Sequence, residues 1–288
     1  MVKEVLRSRW VSANGIKTHY TESGADGPVL VALHGGGHGA SGASGMGPLM
    51  SELAASFRVV APDSIGGYGE TEVSAPTPRG LLSRVDHVRD FVDALCLDRF
   101  TIIGNSQGAF VAAQYAMEYP ERIDKLICIG SLTIAIAMGV EQAPTAPLKA
   151  LMAYDGTPEA MRRMLDGLVL DRSKITDEVI ARRQASATRP GAMEAMMRFT
   201  KTTSGLPKHP VHGIKMDMRQ SLPRLTKAIP TIFIWGEGDT FALPATGRSL
   251  EVLLPDAKFH WIPNAGHQVQ TDKPDLVANI IRTFVLGS

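Results

Sequence analysis

Cysteine is nearly absent from this sequence: 288 residues contain two, Cys96 and Cys128, each inside an apolar segment. That number and spacing exclude a disulfide framework and a thiolate metal cluster. Both side chains read as core thiols, and no metal site is expected. An excess of either charge is missing too. Thirty Lys and Arg stand against 29 Asp and Glu, a net charge of +1, which removes the electrostatic reason to expect nucleic acid or an acidic surface as partner. No apolar run attains the length of a membrane span, and the opening segment MVKEVLRSRW has no apolar stretch of signal-peptide size. Neither a membrane nor an export route is expected, and the reading is of a cytoplasmic enzyme of bacterial type. Internal repeats and low-complexity tracts are lacking as well. What remains is an ordinary globular composition, 44% hydrophobic and 20% charged, in a chain long enough for a large core with an inserted subdomain. Recognition has to come from a local site that takes a small molecule.

The apolar pattern alternates between two periods. Trp10 to Tyr20 reads as a hairpin about Asn14-Gly15. Short apolar strands follow at Val29 to Leu33, Arg58 to Ala61, Phe100 to Ile103, Lys125 to Gly130, Thr231 to Trp235 and Lys258 to Ile262. Helical spacing separates them, clearest from Ser83 to Leu97, where Val85, Val88, Phe91, Val92 and Leu95 share a face; Pro274 to Leu286 is a closing helix. This alternation predicts an α/β fold with a mostly parallel central sheet flanked by helices. The long interval between Gly130 and Thr231 is helical, Met-rich and Arg-rich rather than strand-like. It predicts a helical cap, residues 132–222, inserted into a core made of residues 1–131 and 223–288. Most of the thirteen methionines fall in this cap and read as its core, although flexible thioethers also suit a pocket that moulds around an apolar ligand.

Within this pattern, Gly104-Asn-Ser-Gln-Gly108 falls where the strand Phe100 to Ile103 gives way to the helix Ala109 to Glu118. A serine on so tight a turn is held in a strained backbone conformation, and the flanking glycines let strand and helix approach around it. Ser106 is therefore the candidate nucleophile. Acyl transfer also needs a base, a carboxylate to orient it, and donors for an oxyanion. Asp239 follows the strand at Thr231, His267 follows the strand at Lys258, and both project from the sheet edge that carries Ser106. The oxyanion donors are expected from Gly36, in His34-Gly35-Gly36-Gly37, and from Gln107 at the start of the next helix. Asp217 is the alternative acid. This chemistry needs no cofactor, and none is expected.

The order Ser, Asp, His at successive strand ends makes the chain resemble the α/β-hydrolase fold family over nearly its whole length. More narrowly, His34-Gly-Gly-Gly-His-Gly-Ala-Ser41 together with Gly104-Asn-Ser-Gln-Gly108 resembles the meta-cleavage-product hydrolases, which split a carbon–carbon bond in 2-hydroxy-6-oxo-dienoates from aromatic ring degradation. The resemblance implies a small acid substrate, and Asn105 matches the family pattern directly. Gly35, Gly37 and Gln268 are further candidate contacts to it, and His38, just after the glycines, either lines the pocket or caps the loop. A homodimer is compatible with this reading. The resemblance also implies an arginine presented to the substrate carboxylate from Ile175-Thr-Asp-Glu-Val-Ile-Ala-Arg-Arg183. Helix geometry selects Arg183: Arg182 lies four residues after Glu178 and can pair with it, whereas Arg183 shares a face with Val179, Ile180 and Ala187.

Three departures accompany the resemblance. The loop Asp63-Ser-Ile-Gly-Gly-Tyr-Gly-Glu-Thr71 is one glycine longer than the family pattern. Ala43-Ser44-Gly45 stands where the family has Trp-Ser-Asn, and Gln268 follows His267 where the family has Trp. Two expected contacts to a dienoate are thus absent. Carboxylester or lactone hydrolysis by the same triad is the first alternative, and a ligand-sensing, hydrolase-fold signalling protein is the second.

Overall fold

The structure, a computed structural model, describes residues 6–287. Its strands are β1 (Arg7–Ala13), β2 (Ile16–Ser23), β3 (Val29–Leu33), β4 (Arg58–Pro62), β5 (Phe100–Asn105), β6 (Ile123–Ile129), β7 (Thr231–Gly236) and β8 (Lys258–Ile262). They form one sheet in the order β1-β2-β4-β3-β5-β6-β7-β8. The β1–β2 hairpin and the β2–β4 pair are antiparallel, and the other neighbours are parallel. Helices α1 (Gly42–Leu53), α2 (Leu81–Ala94) and α3 (Gln107–Glu118) follow β3, β4 and β5. Between β6 and β7 the chain forms helices joined by loops, with no strand among the described residues: α4 (Leu132–Ala137), α5 (Ala146–Met152), α6 (Pro158–Asp166), α7 (Asp177–Thr188), α8 (Ala192–Gly205), α9 (Gly213–Met216) and α10 (Ser221–Ala228). Then come α11 (Pro244–Leu253), α12 (Val269–Asp272) and α13 (Pro274–Leu286). Among the described residues, no helix is long and apolar enough to cross a membrane.

Successive residues of a strand face opposite sides of the sheet. In β3, Leu30 and Ala32 join one core with Leu49 of α1 and Ile281 of α13, while Val31 and Leu33 join the other with Phe91 of α2 and Phe110 of α3. Both faces are covered, which is why these strands read as unbroken apolar runs rather than alternating ones. Trp235 is fully buried and donates its ring N–H to the Ala242 carbonyl at 2.9 Å, satisfying the one polar group of a large apolar side chain.

Helix α1 runs against its own propensities, with three glycines and Pro48 in GASGMGPLMSEL. Each glycine costs roughly 1 kcal/mol relative to alanine in a helix interior. Burial of Met46, Leu49, Met50 and Leu53 against the sheet offsets this, at about 1.5–3 kcal/mol per side chain. A reciprocal cap starts the helix, Ser41 Oγ accepting from Ser44 N–H and Ser44 Oγ from Ser41 N–H. The glycines also allow contact: a Cβ on Gly42 would overlap the Ala61 carbonyl, and one on Gly45 would press on His34.

Two expectations about sulfur need correction or narrowing. Cys128 is buried in β6, but Cys96 is exposed, at φ 53° just past the end of α2, so it is not a core thiol. The buried methionines of the helical insertion, among them Met161, Met164 and Met218, pack its interior, and no methionine lines the cavity at Ser106.

Candidate active site

Because β3, β5, β7 and β8 are parallel, the loops after them open on one edge of the sheet. Ser106 sits there at φ 56° and ψ −120°, a conformation that costs a non-glycine residue about 1–3 kcal/mol. The surroundings hold it in place: Ser106 N–H donates to the Ile129 carbonyl at 2.9 Å, and Ser131 Oγ donates to the Ser106 carbonyl at 2.8 Å. A Cβ on Gly104 would overlap the Gly108 carbonyl, and one on Gly108 would overlap the Leu33 carbonyl. The spacing of the two glycines is thus a packing requirement of the turn.

His267 and Asp239 are both buried, with His267 Nδ1 2.9 Å from Asp239 Oδ2. The other carboxylate oxygen, Oδ1, accepts from Phe241 N–H and Ala242 N–H at 2.8 Å each. Asp239 is set as an acceptor on both oxygens, which assigns the proton to His267 Nδ1 and leaves Nε2 as the basic lone pair. The Phe241 ring lies 4.5 Å from the imidazole. Ser106 and His267 line one cavity of about 200 Å³, with Leu132, Ile136, Leu148 and Leu151 among its apolar walls. Among the described residues no hydrogen bond joins Ser106 to His267; such bonds commonly tighten only when substrate fills the site.

Asp272, which sequence reasoning did not single out, and the backbone of Gln268 fasten the histidine loop to the insertion. Asp272 Oδ2 accepts from Gly266 N–H at 2.7 Å and Leu170 N–H at 3.1 Å, and its Oδ1 accepts from Asp171 N–H at 2.8 Å. Gln268 N–H donates to the Leu168 carbonyl at 2.9 Å. An aspartate two residues before Pro274 gives no sequence signal of this role.

Gly35, Gly36, Gly37 and Gln107 all line the cavity. Among the described residues, the N–H groups of Gly36 and Gln107 have no hydrogen-bond acceptor, and the latter belongs to the unsatisfied first turn of α3. His34 supports this loop from behind. Its Nε2 accepts from Ser64 N–H at 3.0 Å, so Nδ1 carries the proton that is donated to the Gly35 carbonyl at 2.7 Å. Burial, aided by the charge of Arg84, pushes His34 down to about 3 and keeps it neutral.

Arg183 projects from α7 into the cavity wall at 2% exposure. Nε and Nη2 donate to the His38 carbonyl at 3.3 and 3.0 Å, and among the described residues no carboxylate pairs with it. Burial pushes its pKa down to about 10, so it stays charged at neutral pH. Val179, Ile180 and Ala187 are turned inward with it, whereas Arg182 is exposed and the Arg182–Glu178 pair expected on the helix surface does not form.

Other expected contacts are revised. The His38 side chain does not line the cavity; it packs on Tyr154 at 4.4 Å, and the residue serves Arg183 through its carbonyl. Asn105 lines the cavity, yet its amide N–H₂ is committed to the Ile129 and His267 carbonyls at 3.1 and 3.2 Å, leaving only Oδ1 for a ligand. Asp217 pairs with Arg219 at 2.5 Å on an exposed stretch away from His267 and is not a second acid for it. Gln268 and Arg183 form a wall shared with a second cavity of about 430 Å³ that Ala43 and Ser44 also line, and Gly45 lines the first.

Comparison with known proteins agrees with this architecture. Residues 28–274 match the α/β-hydrolase fold. A 2-hydroxymuconate semialdehyde hydrolase of a Pseudomonas sp. is 31% identical over 280 residues, covering 96% of this chain and 93% of that protein. A 2-hydroxy-6-oxo-2,4-heptadienoate hydrolase of Pseudomonas putida is 29% identical over 277 residues, covering 96% and 95%. Among solved structures, a meta-cleavage product hydrolase of Pseudomonas fluorescens aligns with a TM-score of 0.79 at 27% identity, covering 97% of each chain. The sheet order, the turn at Ser106 and these full-length matches lead to one conclusion: this chain is a hydrolase belonging to the α/β-hydrolase fold family, and its relatives there are the meta-cleavage-product hydrolases.

Proposed function

We propose that this hydrolase cleaves a carbon–carbon bond in a 2-hydroxy-6-oxo-dienoate-like acid, with Ser106 as nucleophile, His267 as base and then acid, and Asp239 as the carboxylate that orients it. In the same reading residues 132–222 act as a cap over a core of residues 1–131 and 223–288. The observation that carries the choice of substrate is Arg183, a fully buried guanidinium without a carboxylate partner among the described residues, in the wall of the cavity shared by Ser106 and His267. Burying an uncompensated charge is costly, and a substrate carboxylate would meet it bidentately.

The chemistry then runs in two stages. The 2-hydroxy enol first becomes a 2-ketone: the hydroxyl gives up its proton and C5 takes one, which creates an electron sink. Ser106, its proton passing to His267, attacks the C6 carbonyl, and the oxyanion is met by Gly36 N–H and Gln107 N–H. When the C5–C6 bond breaks, the electron pair flows through C5 into the dienolate, which takes the proton from His267 and leaves the imidazole neutral. Water, activated by His267, releases the acyl group from Ser106. The apolar walls at Leu132, Ile136, Leu148 and Phe241 suit the carbon substituent borne by C6.

Two observations favour ester hydrolysis as the second reading: the Asn105 amide N–H₂ is already engaged, and Gln268 stands in the wall where the resemblance leads one to expect Trp. A panel of ring-fission dienoates and neutral aryl esters of matched size separates the two. The C–C reading expects kcat/KM to favour the dienoates, and a preference for esters with no dienoate cleavage overturns it.

A further inference from the structure

Arg84, on α2, is a second buried cation without a counter-ion. It is 1% exposed, its Nε has no partner, and among the described residues no carboxylate pairs with it. A buried charge without a counter-ion is costly to keep, so what Arg84 touches matters. Nη2 donates to the His34 carbonyl at 2.9 Å, and Nη1 reaches Gln107 Oε1 at 3.3 Å. Its guanidinium lies 5.1 Å from the centre of the Tyr68 ring, and Tyr68 Oη donates to the Gly36 carbonyl at 3.2 Å.

These contacts follow a pattern along the chain. In a trans peptide the carbonyl and the following N–H point in opposite directions. Arg84 holds the His34 carbonyl, the His34 ring holds the Gly35 carbonyl, and Tyr68 holds the Gly36 carbonyl. Three consecutive peptides are gripped by their oxygens, which sets the N–H groups of Gly35, Gly36 and Gly37 the opposite way. The Gln107 side chain is packed against Gly36, where a Cβ would overlap its amide, so one guanidinium braces both segments that supply an oxyanion donor.

We propose that Arg84 is a positioning residue for the oxyanion site: with Tyr68 it orients the glycine-loop N–H groups and clamps Gln107, and its unpaired charge favours negative charge developing there. The role rests on reading Ser106 as the nucleophile and Gly36 and Gln107 as donors. It differs from the role of Arg183, which faces the substrate acid.

The test compares a tetrahedral and a planar ligand. Phenylboronic acid forms an anionic tetrahedral adduct on an active serine, whereas benzoate is a planar acid that needs no oxyanion donors. With 4-nitrophenyl acetate as substrate, Arg84→Met should lower kcat by about 10–100-fold and weaken phenylboronic acid binding by a similar factor, since loss of a whole donor costs more. KM and benzoate affinity should stay within about twofold. Tyr68→Phe and Arg84→Lys should show the same split at smaller size, because lysine keeps the charge but cannot span both acceptors. Unchanged kcat and boronate binding in Arg84→Met overturns the proposal, as does an equal fall in boronate and benzoate affinity. If Arg84→Met does not fold, Arg84→Lys decides by the same criterion. Undiminished boronate binding and turnover in Ser106→Ala would instead overturn the nucleophile assignment beneath it.

Discussion

Asn105, the residue immediately before Ser106, donates its side-chain amide to the backbone carbonyl of His267, 3.2 Å away and 162 residues later in the chain. The same amide donates to the Ile129 carbonyl at 3.1 Å. One side chain thus joins the end of β5, the end of β6 and the loop after β8. Asn105→Ala takes its donor from the buried His267 carbonyl, while the Ile129 carbonyl keeps Ser106 N–H, a loss of about 1–3 kcal/mol in unfolding free energy that denaturant titration would read. It should also lower kcat by displacing His267 while changing KM little. A loss confined to KM would make Asn105 a substrate contact instead.

Ser106→Ala should lower turnover by orders of magnitude with an unchanged melting temperature, because the hydroxyl contributes chemistry and little packing. Near-wild-type rates on every active substrate would remove Ser106 from the mechanism.

In Asp239→Asn, the amide oxygen can still accept from Phe241 N–H and Ala242 N–H, so the new N–H₂ group faces His267 Nδ1. That arrangement favours the tautomer with its proton on Nε2, which cannot take the Ser106 proton. The expected loss is in kcat, up to about 10⁴-fold, with substrate affinity retained. Steady-state kinetics on one substrate decides the matter.

Arg183→Ala should weaken kcat/KM for carboxylate-bearing ring-fission substrates by roughly 2–4 kcal/mol and barely affect neutral aryl esters. Equal losses on both classes would mean that the arginine acts through its bonds to the His38 carbonyl, as a structural tie.

Stability should decline in mild acid. Burial lowers His34 to about 3, and His38 and His87 to about 4, from an ordinary 6.5, with the charges of Arg84 or Arg183 adding to the effect. Between pH 6.5 and about 4 the unfolded chain therefore binds protons that the folded chain does not, and unfolding free energy falls as pH falls through that window. His19 has the opposite sign. Burial opposes its charge, but Asp63 at 2.7 Å prevails and raises its pKa, so its contribution is full below 6.5 and is lost as pH rises through the raised value. Denaturant titrations from pH 7.5 to 4.5 should show the acid slope. His87→Gln should flatten it by up to about 1.4 kcal/mol per pH unit, the effect of one proton. An unchanged slope would mean that His87 is protonated in the folded protein.

Legibility in the sequence followed burial. The strands were readable because both sheet faces are covered, and Ser106, Asp239 and His267 were readable because each follows such a strand. The family resemblance pointed to an arginine on this helix, and helical periodicity chose Arg183 over Arg182, since Ile180 and Ala187 turn inward with it. Arg84 did not, because an arginine beside Asp86 and Arg89 on an amphipathic helix reads as solvated, and only the tertiary approach of His34 and Gln107 explains its burial. Helix α1 was hidden by its glycines, whose purpose is contact with β4 and His34. His38 looked like a ligand because it follows three glycines, yet its ring turns to Tyr154, a residue distant in sequence.

The bonds that Asp272 and Gln268 make to residues 168–171 have a mechanical consequence. Along that seam the helical insertion is riveted to the loop bearing His267, so it cannot lift there as a rigid lid without dragging the imidazole along. Ile136 of the cavity wall, on α4, is 59% exposed and takes part in none of these bonds. Motion of the insertion near Leu170 and alignment of the His267 ring are therefore a single degree of freedom. Asp272→Ala, which removes the acceptor of the Leu170, Asp171 and Gly266 N–H groups, should therefore disturb the His267 ring without altering Ser106, Asp239 or His267 themselves.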